Sequence, residues 1–200
     1  MAGTMQHAIF IEIGLPGESV AAYAAELPGC AVFAASDAEA AGRMPMRVSA
    51  FTGWLRRNGE SAPTFVGDNW YEVERARARD GRRAAFTLDE LPPSDDEFAA
   101  WLRWLELARE ELASALDDGD PGAAADQLDA IERQDLAFVG ELGRGLPDLP
   151  SDPVDRLYVA RDALTEALEA AGSMHDGVRR ILRLAIADDL RAAESVRPPA

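Results

Sequence analysis

The chain has 200 residues, 48% of them hydrophobic and 28% charged, which is enough apolar material for a real core beneath a charged, soluble surface. Its formal charge of −16 is uneven: residues 1–89 hold 11 acidic and nine arginine residues, a net of −2, whereas residues 90–200 hold 25 and 11, a net of −14. Lysine is absent, which excludes a Schiff-base or P-loop lysine, and the acidic second half argues against nucleic acid and anionic lipid as partners. No run reaches the ~18 apolar residues of a membrane span. The opening MAGTMQHAIFIEIG has no basic segment before a long apolar one, so no signal peptide is expected. With a single cysteine there is no intrachain disulfide, and the expected location is the cytoplasm.

In chain order, His7–Gly14 alternates as a strand, with Ile9, Ile11 and Ile13 on one face and Phe10 on the other. After a Leu-Pro-Gly-Glu turn, Ser19–Leu27 reads as a second strand, and Cys30–Ser36 as a third after the Pro28-Gly29 turn. Ser36 and Glu39 then form a capping-box pattern. Met44, Val48, Phe51 and Leu55 follow at helical spacing, with Arg56-Arg57 in the last turn and Asn58-Gly59 as the stop. Pro45 predicts a kink or a second start near Met44. Residues 64–88 return to strand character, with Asp80-Gly81 as a hairpin turn.

Leu88–Glu97, with Pro92-Pro93, is the predicted linker; Ser94 and Glu97 form a second capping box. Four amphipathic helices follow, over Asp95–Leu116, Pro121–Leu142, Pro153–Ala171 and Met174–Val196. Their stripes are Phe98, Trp101, Leu102, Leu105 and Leu112; Leu128, Ile131, Phe138, Val139 and Leu142; Val154, Leu157, Tyr158, Leu164 and Leu168; and Val178, Ile181, Leu182, Ala185 and Ile186. Short loops between them predict an up-and-down four-helix bundle. The expected class is α+β, with a β-β-β-α-β module over 1–89 and the bundle over 90–200.

Three groups of residues bear on chemistry. His7, His175 and Cys30 lie on separate elements with no ligand-like spacing, so neither a His/Cys metal site nor nucleophilic catalysis is expected. Asp135, Arg161 and Asp189 each fall on an apolar stripe, where a lone charge is costly. Either they meet in a buried polar cluster, or they sit in solvent at the stripe edges. Arg75, Arg77, Arg79, Arg82 and Arg83, beside Trp70 and Tyr71, form a candidate basic patch. It suits an acidic partner or stacked bases, or else it guards an edge strand against pairing.

The first half resembles HicB-like antitoxin domains. The resemblance rests on Leu27-Pro28-Gly29-Cys30, the helix start Ser36-Asp37-Ala38-Glu39-Ala40 and Trp54-Leu55, and covers roughly residues 7–75. It implies a partial RNase-H-like sheet without catalytic carboxylates and a small RNase toxin as partner; no DNA-binding segment is evident. The second half looks like DinB-like bundles over about residues 95–195, on LDAIERQDLAFVGEL and VRRILRLAIADDLRAAESV. In that family the resemblance places metal histidines at Ala130, Ala187 and Arg191, with an acid at Asp135, so the metal-binding histidines are missing here. The expected function is therefore a non-catalytic binding or regulatory protein without cofactor or membrane contact, acting through protein–protein association that includes a homodimer. The alternatives are a DinB-like metal-dependent thiol S-transferase, an antitoxin-like binder of a small RNase, and a binder of a small molecule within the bundle.

Overall fold

A computed structural model describes residues 7–63, 70–79, 82–119 and 121–197 of the chain. The protein is α+β, with a four-stranded mixed sheet and five α-helices among these residues. It divides into two compact units, Met1–Leu91 and Pro92–Ala200.

The first unit runs β1 (His7–Ile13), β2 (Val20–Ala24), β3 (Ala31–Ala34), α1 (Asp37–Arg57) and β4 (Trp70–Arg77). The sheet order is β3-β2-β1-β4, with β1 antiparallel to β2, β2 antiparallel to β3, and β1 parallel to β4. A parallel pair needs a long crossover, and α1 lies within it, packing on β2 and β3. Its buried face is Ala40, Met44, Val48, Phe51, Thr52, Trp54 and Leu55, a 3–4 spacing. The Ser36 hydroxyl accepts the Glu39 N–H at 3.2 Å. The Glu39 carboxylate takes the N–H of Ala35 at 3.3 Å rather than that of the cap residue. The predicted second start at Pro45 is absent: α1 continues through it, losing one backbone donor while its buried face holds the flanking turns.

Cys30, the predicted start of the third strand, immediately precedes β3 and is fully buried. Its N–H closes the turn on the Leu27 carbonyl at 2.9 Å, with Gly29 at a φ of 87° that an L side chain rarely adopts. Burial pushes the Cys30 thiol up to about 12, so it behaves as a small core residue. On the other side of the sheet Phe10 stacks on Phe86 at 4.7 Å. Residues 64–69 and the Asp80-Gly81 turn lie outside the described residues; beside that turn, Arg79 and Arg82 pair through their backbones.

The second unit holds α2 (Asp95–Asp118), α3 (Ala125–Glu141), α4 (Pro153–Ala171) and α5 (Val178–Val196). At the start of α2 the Ser94–Glu97 capping box closes in both directions, at 3.3 and 2.8 Å. Asp152 caps α4 through the N–H groups of Val154 and Asp155. The closest packing joins α2 to α5, α3 to α4 and α3 to α5. The predicted stripes need correction at their edges. Val154 and Tyr158 are exposed, while Trp104 and Ala108 are buried in α2, where Phe98 and Leu102 are only half-buried. A stripe read at fixed spacing drifts off the buried face, because 3.6 residues per turn is not a whole number. No helix is long and apolar enough to cross a membrane among the described residues.

Candidate functional site

The helical unit brings Asp135 of α3, Arg161 of α4 and Asp189 of α5 together at its centre, and adds Arg109 of α2. Each is delivered by the apolar face of its own helix. Asp135 sits among Ile131, Phe138 and Val139; Arg161 among Leu157, Ala160 and Leu164; Asp189 among Leu182, Ala185, Ile186 and Ala193. The sequence reading missed Arg109, although the signal was there. It lies four residues after Leu105 and three before Leu112, on the stripe already identified.

The geometry is one of close charges with few hydrogen bonds. Arg161 Nη2 is in direct contact with Asp189 Oδ1. Arg161 Nε and Arg109 Nη2 each stand 4.0 Å from Asp135 Oδ2, and Arg109 Nε stands 4.0 Å from Asp189 Oδ2. These separations exceed a hydrogen bond. Arg161 Nε and Nη1, Arg109 Nε and Nη2, Asp135 Oδ2 and Asp189 Oδ2 make none. Arg109 spends Nη1 on the Thr165 hydroxyl, which in turn donates to the Arg161 carbonyl at 3.2 Å. Asp135, Arg161 and Asp189 are each 2% exposed.

Burial, with the nearby Asp189 charge, pushes Asp135 up to about 7, against the pull of Arg109 and Arg161. Asp189 is also raised, chiefly by burial, and Arg161 and Arg109 oppose the shift. Burial likewise lowers the Arg109 guanidinium from its ordinary value. Near neutral pH Asp135 is therefore partly protonated.

This arrangement is poor ground for a metal. Two guanidiniums already occupy the positions beside the carboxylates, and a divalent ion would meet both positive charges. Among the described residues no three His, Cys, Asp or Glu side chains gather to hold one. Ala130, an implied ligand position, is exposed; Ala187 is buried and Arg191 half-buried. His7 is buried in β1 with its ring 4.8 Å from that of Trp70, and His175 lies in the loop before α5.

The candidate basic patch splits into three parts. Arg75 is clasped by Glu72 at 2.7 Å and by Asp37 at 2.8 Å. Arg83 points inward, where its Nε and Nη2 donate to the fully buried Glu12 at about 3.1 Å. Glu12 also accepts the Tyr23 hydroxyl at 2.8 Å and the Ala84 N–H at 2.6 Å. Arg77, Arg79 and Arg82 are exposed. Nothing in the spacing of five arginines distinguishes these fates; the inward turn of Arg83 is set by Glu12, which lies 71 residues earlier. Compared with protein-family models, curated proteins and solved structures, the chain gives no match.

Proposed function

We propose that the chain is a non-catalytic binding or regulatory protein that works through protein–protein association. In this reading the first unit is a HicB-like β-β-β-α-β module and the second a DinB-like up-and-down four-helix bundle whose metal centre has been lost. The observation that carries it is the pair Arg109 and Arg161, two guanidiniums at 4.0 Å from Asp135 Oδ2 in the centre of the helical unit. Fixed cations stand there, balancing the charge of carboxylates that a metal would otherwise need.

The test is elemental analysis of the purified protein, followed by Zn2+, Ni2+ and Mn2+ titration read by thermal shift. The expected result is no stoichiometric metal and no metal-dependent rise in melting temperature. A stoichiometric metal that Asp135→Asn and Asp189→Asn remove would overturn the reading in favour of a metal-dependent thiol S-transferase. A second reading, an antitoxin-like binder of a small RNase, is favoured by the strand and helix order of the first unit with its Leu27–Cys30 turn. It requires the chain to purify with such an RNase as a stable pair, and separate elution of the two would count against it.

A further inference from the structure

β4 is the last strand of the order β3-β2-β1-β4, and among the described residues nothing pairs with its outer edge. An open edge is a template for another strand, and proteins usually blunt it with proline, charged side chains or a bulge. β4 carries charges and a bulge, but its charges are arranged to complement those of an antiparallel copy. It has no proline, and its charges are of both signs and sorted along the strand: Glu72 and Glu74 in the first half, Arg75 and Arg77 in the second. It also exposes two large apolar side chains, Tyr71 at 44% and Val73 at 52%.

The register explains which charges share a face. Ile9 of β1 pairs with Glu72 but Phe10 pairs with Glu74, so Val73 is an extra residue in the ladder. Glu72, Arg75 and Arg77 therefore follow Ile9, Ile11 and Ile13 onto one face, and the Arg75–Glu72 clasp agrees. Glu74 falls on the opposite face, where it accepts the Thr87 N–H at 2.8 Å.

We infer that β4 pairs with β4 of a second copy, antiparallel about a twofold axis, joining the two sheets edge to edge. The inference rests on the reading of the chain as an association protein and names its partner. A parallel copy would set acid against acid; the antiparallel one sets the acidic half of each strand against the basic half of the other. With the axis at Arg75, and Val73 skipped in this ladder as it is in the one with β1, Glu72 of each copy meets Arg77 of the other, twice, on one face. The two Arg75 side chains that then approach are already neutralised by Glu72 and Asp37. Arg77 is exposed and has no ion pair among the described residues, so it is available. Val73 and Tyr71 lie along the strand to be covered. A two-fold contact of this kind is isologous and closes on itself. Repulsion between copies is least at this unit, since residues 1–89 carry a net of only −2 of the chain's −16. That total charge also disfavours nucleic acid as the occupant of the edge.

Sedimentation velocity of the full chain, with Glu72→Arg and Arg77→Glu, tests the inference, and circular dichroism checks that each variant is folded. The wild type is expected to sediment as a dimer. Each variant turns two opposite-charge pairs into two like-charge pairs and should weaken association by about tenfold or more. An equimolar mixture of the two variants restores both pairs, so it should recover the dimer. A wild type that stays monomeric at every concentration, or a dimer that neither substitution weakens, would overturn the inference. Metal analysis decides the functional reading and sedimentation decides the edge, so either can fail alone.

Discussion

Each unit buries acidic charge, and the two do it in opposite ways. In the sheet unit Glu12 is completely buried, yet both its oxygens are engaged by the Tyr23 hydroxyl, the Arg83 guanidinium and the Ala84 N–H. That carboxylate ties β1 to β2 and to the segment after β4. In the helical unit Asp135 and Asp189 sit among guanidiniums at contact or 4.0 Å, with several polar atoms making no hydrogen bond. Glu12 is held by directional bonds, whereas Asp135 is held by charge balance. A satisfied buried carboxylate specifies one arrangement of the chain around it. A balanced but unbonded cluster costs desolvation that apolar side chains of similar volume would avoid.

The largest expected effect breaks that balance. Arg161→Met removes the guanidinium between Asp135 and Asp189 and leaves two carboxylates buried together. It should cost about 3–5 kcal/mol, read as a lower urea midpoint. Replacing the whole cluster is expected to do the reverse: Arg109→Met, Asp135→Leu, Arg161→Met and Asp189→Leu together should match or exceed wild-type stability by about 1–4 kcal/mol. The same treatment of the sheet unit should fail. Glu12→Leu with Arg83→Met still strands the Ala84 N–H and the Tyr23 hydroxyl, so the pair of changes remains destabilising by about 1–3 kcal/mol per stranded group. Equal outcomes in the two units would erase the distinction.

Titration separates the two sites next. Asp135 is raised in the folded protein to about 7, above the ~3.9 of an unfolded aspartate. The folded state therefore binds this proton more tightly. The contribution is fully present below the unfolded value and is lost as pH rises through about 7. Asp189 shifts in the same direction. Asp135→Asn cannot ionise, so its stability relative to wild type should improve steadily from acid to neutral pH. Urea melts at several pH values would show this as a closing or reversed gap, and a constant gap would mean that folding leaves the Asp135 titration unshifted.

These sites were unequally legible in the sequence. Asp135, Arg161 and Asp189 stood out because a charge on an apolar stripe breaks a local pattern, and helical spacing alone places it on the buried face. Arg109 breaks the same pattern, since Phe98, Leu102, Leu105 and Leu112 recur at a 4-3 spacing that includes position 109. Glu12 gave no signal: in an alternating strand a single polar residue reads as solvent-facing, and its partners lie 11 and 71 residues away. Turns and caps were readable because their chemistry is local, as at Pro28-Gly29 and Ser94. The pairing of α2 with α5 depends on contacts between distant segments that no window of sequence contains.

The smallest expected effect compares two helix starts that look alike in sequence. Ser36/Glu39 and Ser94/Glu97 have the same spacing, but only the second closes in both directions. The Ser94 N–H, and then its hydroxyl, hold the Glu97 carboxyl below its ordinary value. The Glu39 carboxylate reaches past the cap to Ala35 at 3.3 Å and is shared with Arg43 at 3.4 Å. Ser36→Ala and Ser94→Ala each remove a hydroxyl cap and should each cost about 1 kcal/mol. The glutamates should differ. Glu97→Ala loses a 2.8 Å bond to the cap residue's own N–H, while Glu39→Ala loses a longer one to its neighbour. Glu97 has a lowered folded value, so its contribution is present above the unfolded carboxyl range and fades as pH falls. Thermal melts of the two alanine variants at neutral and acid pH should therefore show a larger loss for Glu97→Ala at neutral pH that shrinks in acid. Equal losses at both would mean that the two caps are energetically alike despite their different geometry.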